Sequence, residues 1–286
     1  MSIERQNDII DILFADEVPP DWAVHGFFLQ GAIYTIGGEP GAGKSSLCYT
    51  LAIAAATGVS ALSGIVPPIE PKRVLYFDEE NSPQDRIKYI RWAWHGLVKL
   101  NGAEPDLGLL MENLWCVSDE LGGDDWQEKL AMWVDFVQPH IIIFDTANPC
   151  FNIQDENSNS EASLVIKQLR RALKRIDPAV TAIILKHAKI RVDGTMRTLR
   201  GAKAWQGAVD GVVFQVKAPG RPKRDGLSLT RIEPGKTRAY GLRNRVYITP
   251  EWTNTTRDGL MLHGNDKASL LHKAAEEEEE AKANKD

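Results

Sequence analysis

The sequence predicts an α/β fold: a mostly parallel, twisted sheet with helices on both faces, completed late in the chain by antiparallel strands. Three observations predict it. β-rich runs alternate with stretches of helical length, the pattern left by strands joined through crossover helices. Two runs, IIIF (141–144) and AIIL (182–185), are apolar at every position, as strands covered on both faces must be. A glycine-rich turn beginning at Gly38 separates the first strong strand from a helix.

The elements follow in order. The first 24 residues read as an N-terminal arm, and residues 25–252 as one domain. AIYTIGG (32–38) is a strand, and SSLCYTLAIAAATG (45–58) is a buried helix ending at Gly58. VLYFDEE (74–80) is an apolar strand that stops in acids. Ser82, Pro83 and Asp85 combine an N-cap, a first-turn proline and an acid three residues after the cap, so a helix should run to about Leu100. LWCVSD (114–119) is a strand, DDWQEKLAMWVDFVQ (124–138) an amphipathic helix and HIIIFDT (140–146) a strand carrying Asp145. The helix SEASLVIKQLRRALKRI (160–176) precedes the strands AVTAIILKH (179–187) and DGVVFQV (210–216). GLSLTRIE (226–233) and NRVYITPE (244–251) predict a late hairpin or meander. Residues 253–286 are expected to form a C-terminal segment, its acidic end AAEEEEEAKANKD (274–286) disordered or a frayed helix.

The 286 residues include 43% hydrophobic side chains, enough for a full core, which excludes disorder of the whole chain. Cys48, Cys116 and Cys150 are widely spaced and form no CxxC pair, so neither a zinc knuckle nor a disulfide framework is indicated. With no apolar signal-peptide core and no run approaching the roughly 20 residues of a bilayer span, a cytoplasmic protein without a membrane partner is expected. The net charge of −5 hides a division. Residues 186–245 hold 15 Lys and Arg against 4 Asp and Glu, a net of +11, while the rest of the chain is acidic. Such a segment suits a local anionic partner, or a solvated surface hairpin. The acidic tail serves solubility, or contacts basic partner proteins.

Gly38-Glu39-Pro40-Gly41-Ala42-Gly43-Lys44-Ser45 matches GxxxxGK followed by Ser or Thr at every fixed position, between a strand and a helix. Its glycines let backbone N–H groups turn inward around a phosphate, and the helix N-terminus, with Ser46 in its first turn, adds further donors. Lys44 would reach the β- and γ-phosphates of ATP, and Ser45 would hold Mg²⁺. Asp145, at the end of an apolar strand, is placed to orient Mg²⁺ through water. Thr146, Ala147 and Asn148 follow it, so the base that activates the attacking water must come from elsewhere. Glu80, with Glu79 second, can supply that carboxylate from the end of the neighbouring strand.

These motifs resemble the RecA/DnaB-type P-loop ATPases, and most closely the RepA-like hexameric replicative helicases of plasmids and phages. The similarity covers roughly residues 18–250: PPDWAVHGFFLQGAIYTIGGEPGAGKSSL, then VLYFDEENSPQD, IIIFDTANP, AIILKHAKI and LRGAKAWQGAVDGVVFQV. It implies a RecA-like core, with Glu80 as the catalytic glutamate, Asp145 at the Walker B position and His187 as a sensor of the γ-phosphate. It also implies Arg200 as a finger reaching a neighbouring subunit's nucleotide, with Lys203 as the alternative. Lys189, Arg191 and Arg197 would lie on a loop facing the central channel and, with Lys203, contact single-stranded DNA. That loop, Ala188–Leu199, has no aromatic residue for base stacking. Trp205, just beyond it, is a stacking candidate or a core residue; Trp92, Trp94, Trp126 and Trp133 read as core or subunit contacts.

The expected function is an ATP-hydrolysing, ring-forming DNA motor in replication, hexameric and able to meet replication or recombination proteins through its acidic tail. Two rivals stay open: a RecA-core recombination or annealing ATPase, and a non-motor switch of the same fold that binds protein.

Overall fold

A computed structural model of the chain describes residues 20–118, 121–177, 179–190, 197–199, 201, 203–217, 230–236, 246–253 and 269–275. A short antiparallel pair, β1 (Trp22–Val24) and β2 (Phe28–Leu29), leads in. β3 (Ile33–Gly38), β4 (Val74–Asp78), β5 (Leu114–Val117), β6 (Ile141–Asp145), β7 (Thr181–Ile190) and β9 (Gly211–Lys217) form the parallel body of one sheet. β8 (Arg197–Leu199) pairs back on β7, and β10 (Thr230–Lys236), β11 (Val246–Thr253) and β12 (Ser269–Ala275) extend the sheet antiparallel from β9. The order is β12-β11-β10-β9-β3-β7-β6-β4-β5, so the strand feeding the glycine-rich loop lies between β7 and β9.

The sheet sits inside because its strands are apolar on both sides. Ile141 and Ile143 face one helical layer while Ile142 and Phe144 face the other, and all four are buried. On the first face lie α1 (Lys44–Thr57), α2 (Pro83–Asn101) and α3 (Leu107–Asn113). On the second lie α4 (Trp126–Val137) and α6 (Asn159–Ile176), joined by α7 (Lys203–Ala208) through Trp205; a single turn, α5 (Ala147–Cys150), follows β6. α1 is apolar almost all round and correspondingly buried. α2 starts where the Ser82–Pro83 signal places it, the Ser82 hydroxyl accepting from the Asp85 amide at 3.2 Å. α6 starts likewise at Ser158, whose hydroxyl accepts from the Glu161 amide, and its last turn carries Lys174 and Arg175 toward the negative end of the helix dipole.

Three differences from the sequence expectation stand out. The first described strand begins at Trp22, inside the stretch expected to be an arm. Residues 188–199 are not a loop throughout: Ala188 pairs with Leu199, Lys189 with Thr198 and Ile190 with Arg197, because both Ala188 and Leu199 have a core to enter. The segment after residue 252 contributes β12 at the sheet edge, and Ala274 and Ala275 belong to that strand rather than to a frayed tail; the rest of the acidic run lies outside the described residues. Trp205 is fully buried, its Nε1 donating to the Thr35 hydroxyl at 3.0 Å, so it is core and not a platform for bases. Among the described residues no helix is long and apolar enough to cross a membrane.

Candidate nucleotide site

The site forms at the carboxyl ends of β3, β4, β6 and β7. β3 ends at Gly38, residues 39–43 bend, and α1 starts at Lys44. Gly43 caps the helix at φ +87°, a left-handed conformation that a side chain would strain, which is why the motif has glycine there. Glu39, Pro40 and Gly41 are exposed at the lip of the bend, whereas Ala42 is buried and its N–H donates to the Glu39 carbonyl. Ser45 and Ser46 open the first turn of α1. Lys44 is buried, and its Nζ donates to the carbonyls of Gly38 (3.2 Å) and Glu39 (3.1 Å). Burial lowers its pKa below the ordinary lysine value, opposed by the negative charge of Glu80 and Asp145. The ammonium is thus held inside the loop by two weak acceptors that phosphate oxygens can replace.

Asp145 lies in register with Asp78, so two buried carboxylates stand side by side on β6 and β4. Each has its own phenol: Tyr76 donates to Asp145 Oδ2 at 2.8 Å and Tyr49 to Asp78 Oδ2 at 2.6 Å. The two rings stack at 4.2 Å, worth about 0.5–1.5 kcal/mol beyond their burial. Asn81 Nδ2 bridges the acids, 2.9 Å from Asp78 Oδ1 and 3.5 Å from Asp145 Oδ2. Burial first, and then the charge of Asp78, pushes the Asp145 carboxyl up to about 7, against the hydroxyls of Ser45 and Tyr76. Asp145 Oδ1 is buried and accepts no hydrogen bond of ordinary geometry among the described residues. A buried oxygen with surplus negative charge beside a serine hydroxyl suits a hard cation, so Ser45 and Asp145 fit Mg²⁺. When bound there, Mg²⁺ supplies neutralisation of charge on the phosphate oxygens. The Asp145–Thr146 peptide is cis.

Beyond the acids opens a cleft of about 360 Å³ lined by Glu79, Glu80, residues 146–149, Glu156, Lys186 and His187. The two glutamates divide there. Glu79 is tied into the fold, its backbone N–H donating to the Asp145 carbonyl (2.8 Å) and its carboxylate accepting from the Leu121 amide (3.0 Å). Glu80 is exposed, and its Oε1 stands 3.8 Å from His187 Nε2 across the cleft. Lys186 points to the other face of β7, its Nζ donating to Asn148 Oδ1 (3.2 Å) and lying 4.8 Å above the Trp205 ring. Asn148 in turn donates to Glu156 Oε2 at 3.3 Å. Asp78, Asn81, Lys186, Asn148 and Glu156 are the participants that sequence reasoning missed. For Lys186 the signal was its place one residue before His187.

Glu156 also meets the segment that should carry the finger. Gly201 has φ +91°, and a β-carbon there would stand 2.1 Å from the Glu156 carbonyl oxygen. Gly201→Ala is therefore expected to destabilise the protein by about 1–3 kcal/mol, measured by denaturant unfolding. An unchanged midpoint would show that this close approach is dispensable. Of the basic candidates, Lys189 is exposed on β7 and Lys203 is exposed at the start of α7. Arg197 is placed through its backbone pairing with Ile190, while Arg191 and Arg200 lie outside the described residues. The structure brings Lys44, Ser45, Asp145, Glu80 and His187 to one end of the sheet.

A family model described as an AAA domain, AAA_25, matches residues 3–189. No curated protein matches the chain. The match takes in the glycine-rich loop, both acidic strand ends and β7 through Lys189.

Proposed function

The chain belongs to the AAA domain family as an ATPase of the P-loop class, and on that premise we propose that it is a ring-forming motor on single-stranded DNA, a replicative helicase of the RepA-like kind. The observation that supports this reading is the course of β7. The strand carries Lys186 and His187 past the cleft and continues without a break through Lys189 into the pairing with β8. One continuous strand thus joins the place where the γ-phosphate would be split to the basic β7–β8 pair.

In this reading Lys44 and the loop N–H groups hold the β- and γ-phosphates. Glu80, exposed and unburdened by the contacts that anchor Glu79, takes a proton from the attacking water. His187, facing Glu80, registers whether the γ-phosphate is present and passes that state along β7. Lys189, Arg191, Arg197 and Lys203 grip successive phosphates of a strand in the ring's channel, and Arg200 completes the neighbour's site. A hexamer in the cytoplasm, fed with ATP and Mg²⁺ and meeting replication or recombination proteins through its acidic tail, is the assembly implied.

The test is ATP turnover with and without single-stranded DNA over a salt series, alongside sizing of the ATP-bound complex and a strand-displacement assay. Stimulation by single strands should fade with salt, with a logarithmic slope of about 0.7 per phosphate contact, and Lys189→Ala should remove roughly one such contact. Filaments or annealing without displacement would identify a recombination protein instead. Turnover indifferent to DNA would identify a switch whose partner is a protein.

A further inference from the structure

We propose that Gln215 is a positioning residue for the phosphate loop: its buried side-chain amide turns the Ala42 carbonyl toward the sheet and so aims the Gly43 N–H outward at the phosphate. Gln215 lies on β9, paired in register with Gly38 at the mouth of the loop. It is only 2% exposed, and its Nε2 donates to the Ala42 carbonyl at 2.9 Å. The Ala42–Gly43 peptide is trans, so its C=O and N–H point in opposite directions. Fixing the carbonyl inward therefore fixes the N–H of Gly43 on the opposite side, where the motif needs a donor for phosphate. A β-carbon on Gly43 would lie 3.4 Å from the same Nε2, so the amide also rests against the residue it orients.

A second observation separates this from ordinary packing. Gln215 Oε1 is buried with no hydrogen-bond partner among the described residues. Leaving a buried acceptor unmatched costs stability, and an apolar side chain of the same length would not carry that cost. What only glutamine supplies at this position is the donor to Ala42. Held in this position by Gln215, the Ala42 carbonyl would spare the loop a reorganisation when phosphate binds.

This inference rests on the phosphate-binding reading of the loop, and the experiment separates the two. ADP affinity is measured by calorimetry for the full wild-type chain and for Gln215→Met, Gln215→Glu and Lys44→Ala, with thermal unfolding of each nucleotide-free protein. Gln215→Met should unfold no lower than wild type yet bind ADP about tenfold more weakly, equivalent to about 1.4 kcal/mol. Gln215→Glu gives a pH-dependent readout. Below the pKa of the new carboxyl, which burial raises, the acid is protonated, donates to the Ala42 carbonyl and should match wild-type affinity. Above it the carboxylate repels that carbonyl and affinity should fall, whereas the ratio of Gln215→Met to wild type should stay flat with pH. Wild-type ADP affinity in Gln215→Met, or a Gln215→Glu affinity that tracks Gln215→Met at every pH, would overturn the proposal while Lys44→Ala still shows its loss. Undiminished affinity in Lys44→Ala would instead remove the phosphate reading beneath it.

Discussion

Glu80→Gln is expected to leave ATP bound and to slow its hydrolysis by about 10²–10⁴-fold, the range associated with losing a positioned general base. The amide has the shape of the carboxylate but cannot accept a proton at neutral pH. Glu80 is exposed and, among the described residues, its side chain anchors no backbone group, so the substitution should leave the fold intact. Glu79→Gln is the matched control. Its side-chain oxygen can still accept from the Leu121 amide after the exchange, so turnover should stay close to wild type. ATP binding by calorimetry and phosphate release under single-turnover conditions read the two quantities separately. Normal release in Glu80→Gln together with loss in Glu79→Gln would transfer the base to Glu79.

The contrast between these neighbours shows what sequence can carry and where it stops. The glycine-rich loop is legible because its backbone geometry demands particular residues: Gly43 must adopt positive φ, and nothing with a β-carbon does so cheaply. β6 is legible because an apolar run ending in an acid has few alternatives, and the cap signals at Ser82 and Ser158 act locally. Asp78 was not legible as a partner of Asp145. Its partnership depends on parallel register between β4 and β6, and register is a tertiary fact. The same holds for Gln215, whose contact with Ala42 spans most of the chain, and for Asn148, Glu156 and Lys186, which meet only where β6, β7 and the polar loop converge. The β7–β8 hairpin was missed because a basic, apolar-poor stretch reads as loop unless the two apolar residues at its base, Ala188 and Leu199, are known to share a core. β12 was missed because the acid run that follows it dominates the local composition.

Arg200→Ala is expected to cut hydrolysis by about 10³–10⁵-fold, because an arginine supplied to the transferring phosphoryl group stabilises charge that develops only in the transition state. Its flanks bear on the role. Leu199 is buried at the end of β8, and Gly201 is pressed against the Glu156 carbonyl, so the chain on either side of Arg200 is held by the same network that reaches Lys186 and β7. A finger acting on a neighbour makes a further prediction that a residue serving its own subunit cannot satisfy. Arg200→Ala and Glu80→Gln chains should each show little turnover alone. Mixed in equal amounts in a head-to-tail ring, roughly a quarter of the interfaces pair the intact Glu80 of one chain with the intact Arg200 of the next, and that fraction of turnover should return. Lys203→Ala in place of Arg200→Ala tests the alternative finger in the same mixture. No recovery in either mixture, under conditions where sizing shows mixed assemblies, would place the whole catalytic set within one chain and remove the reason for a ring.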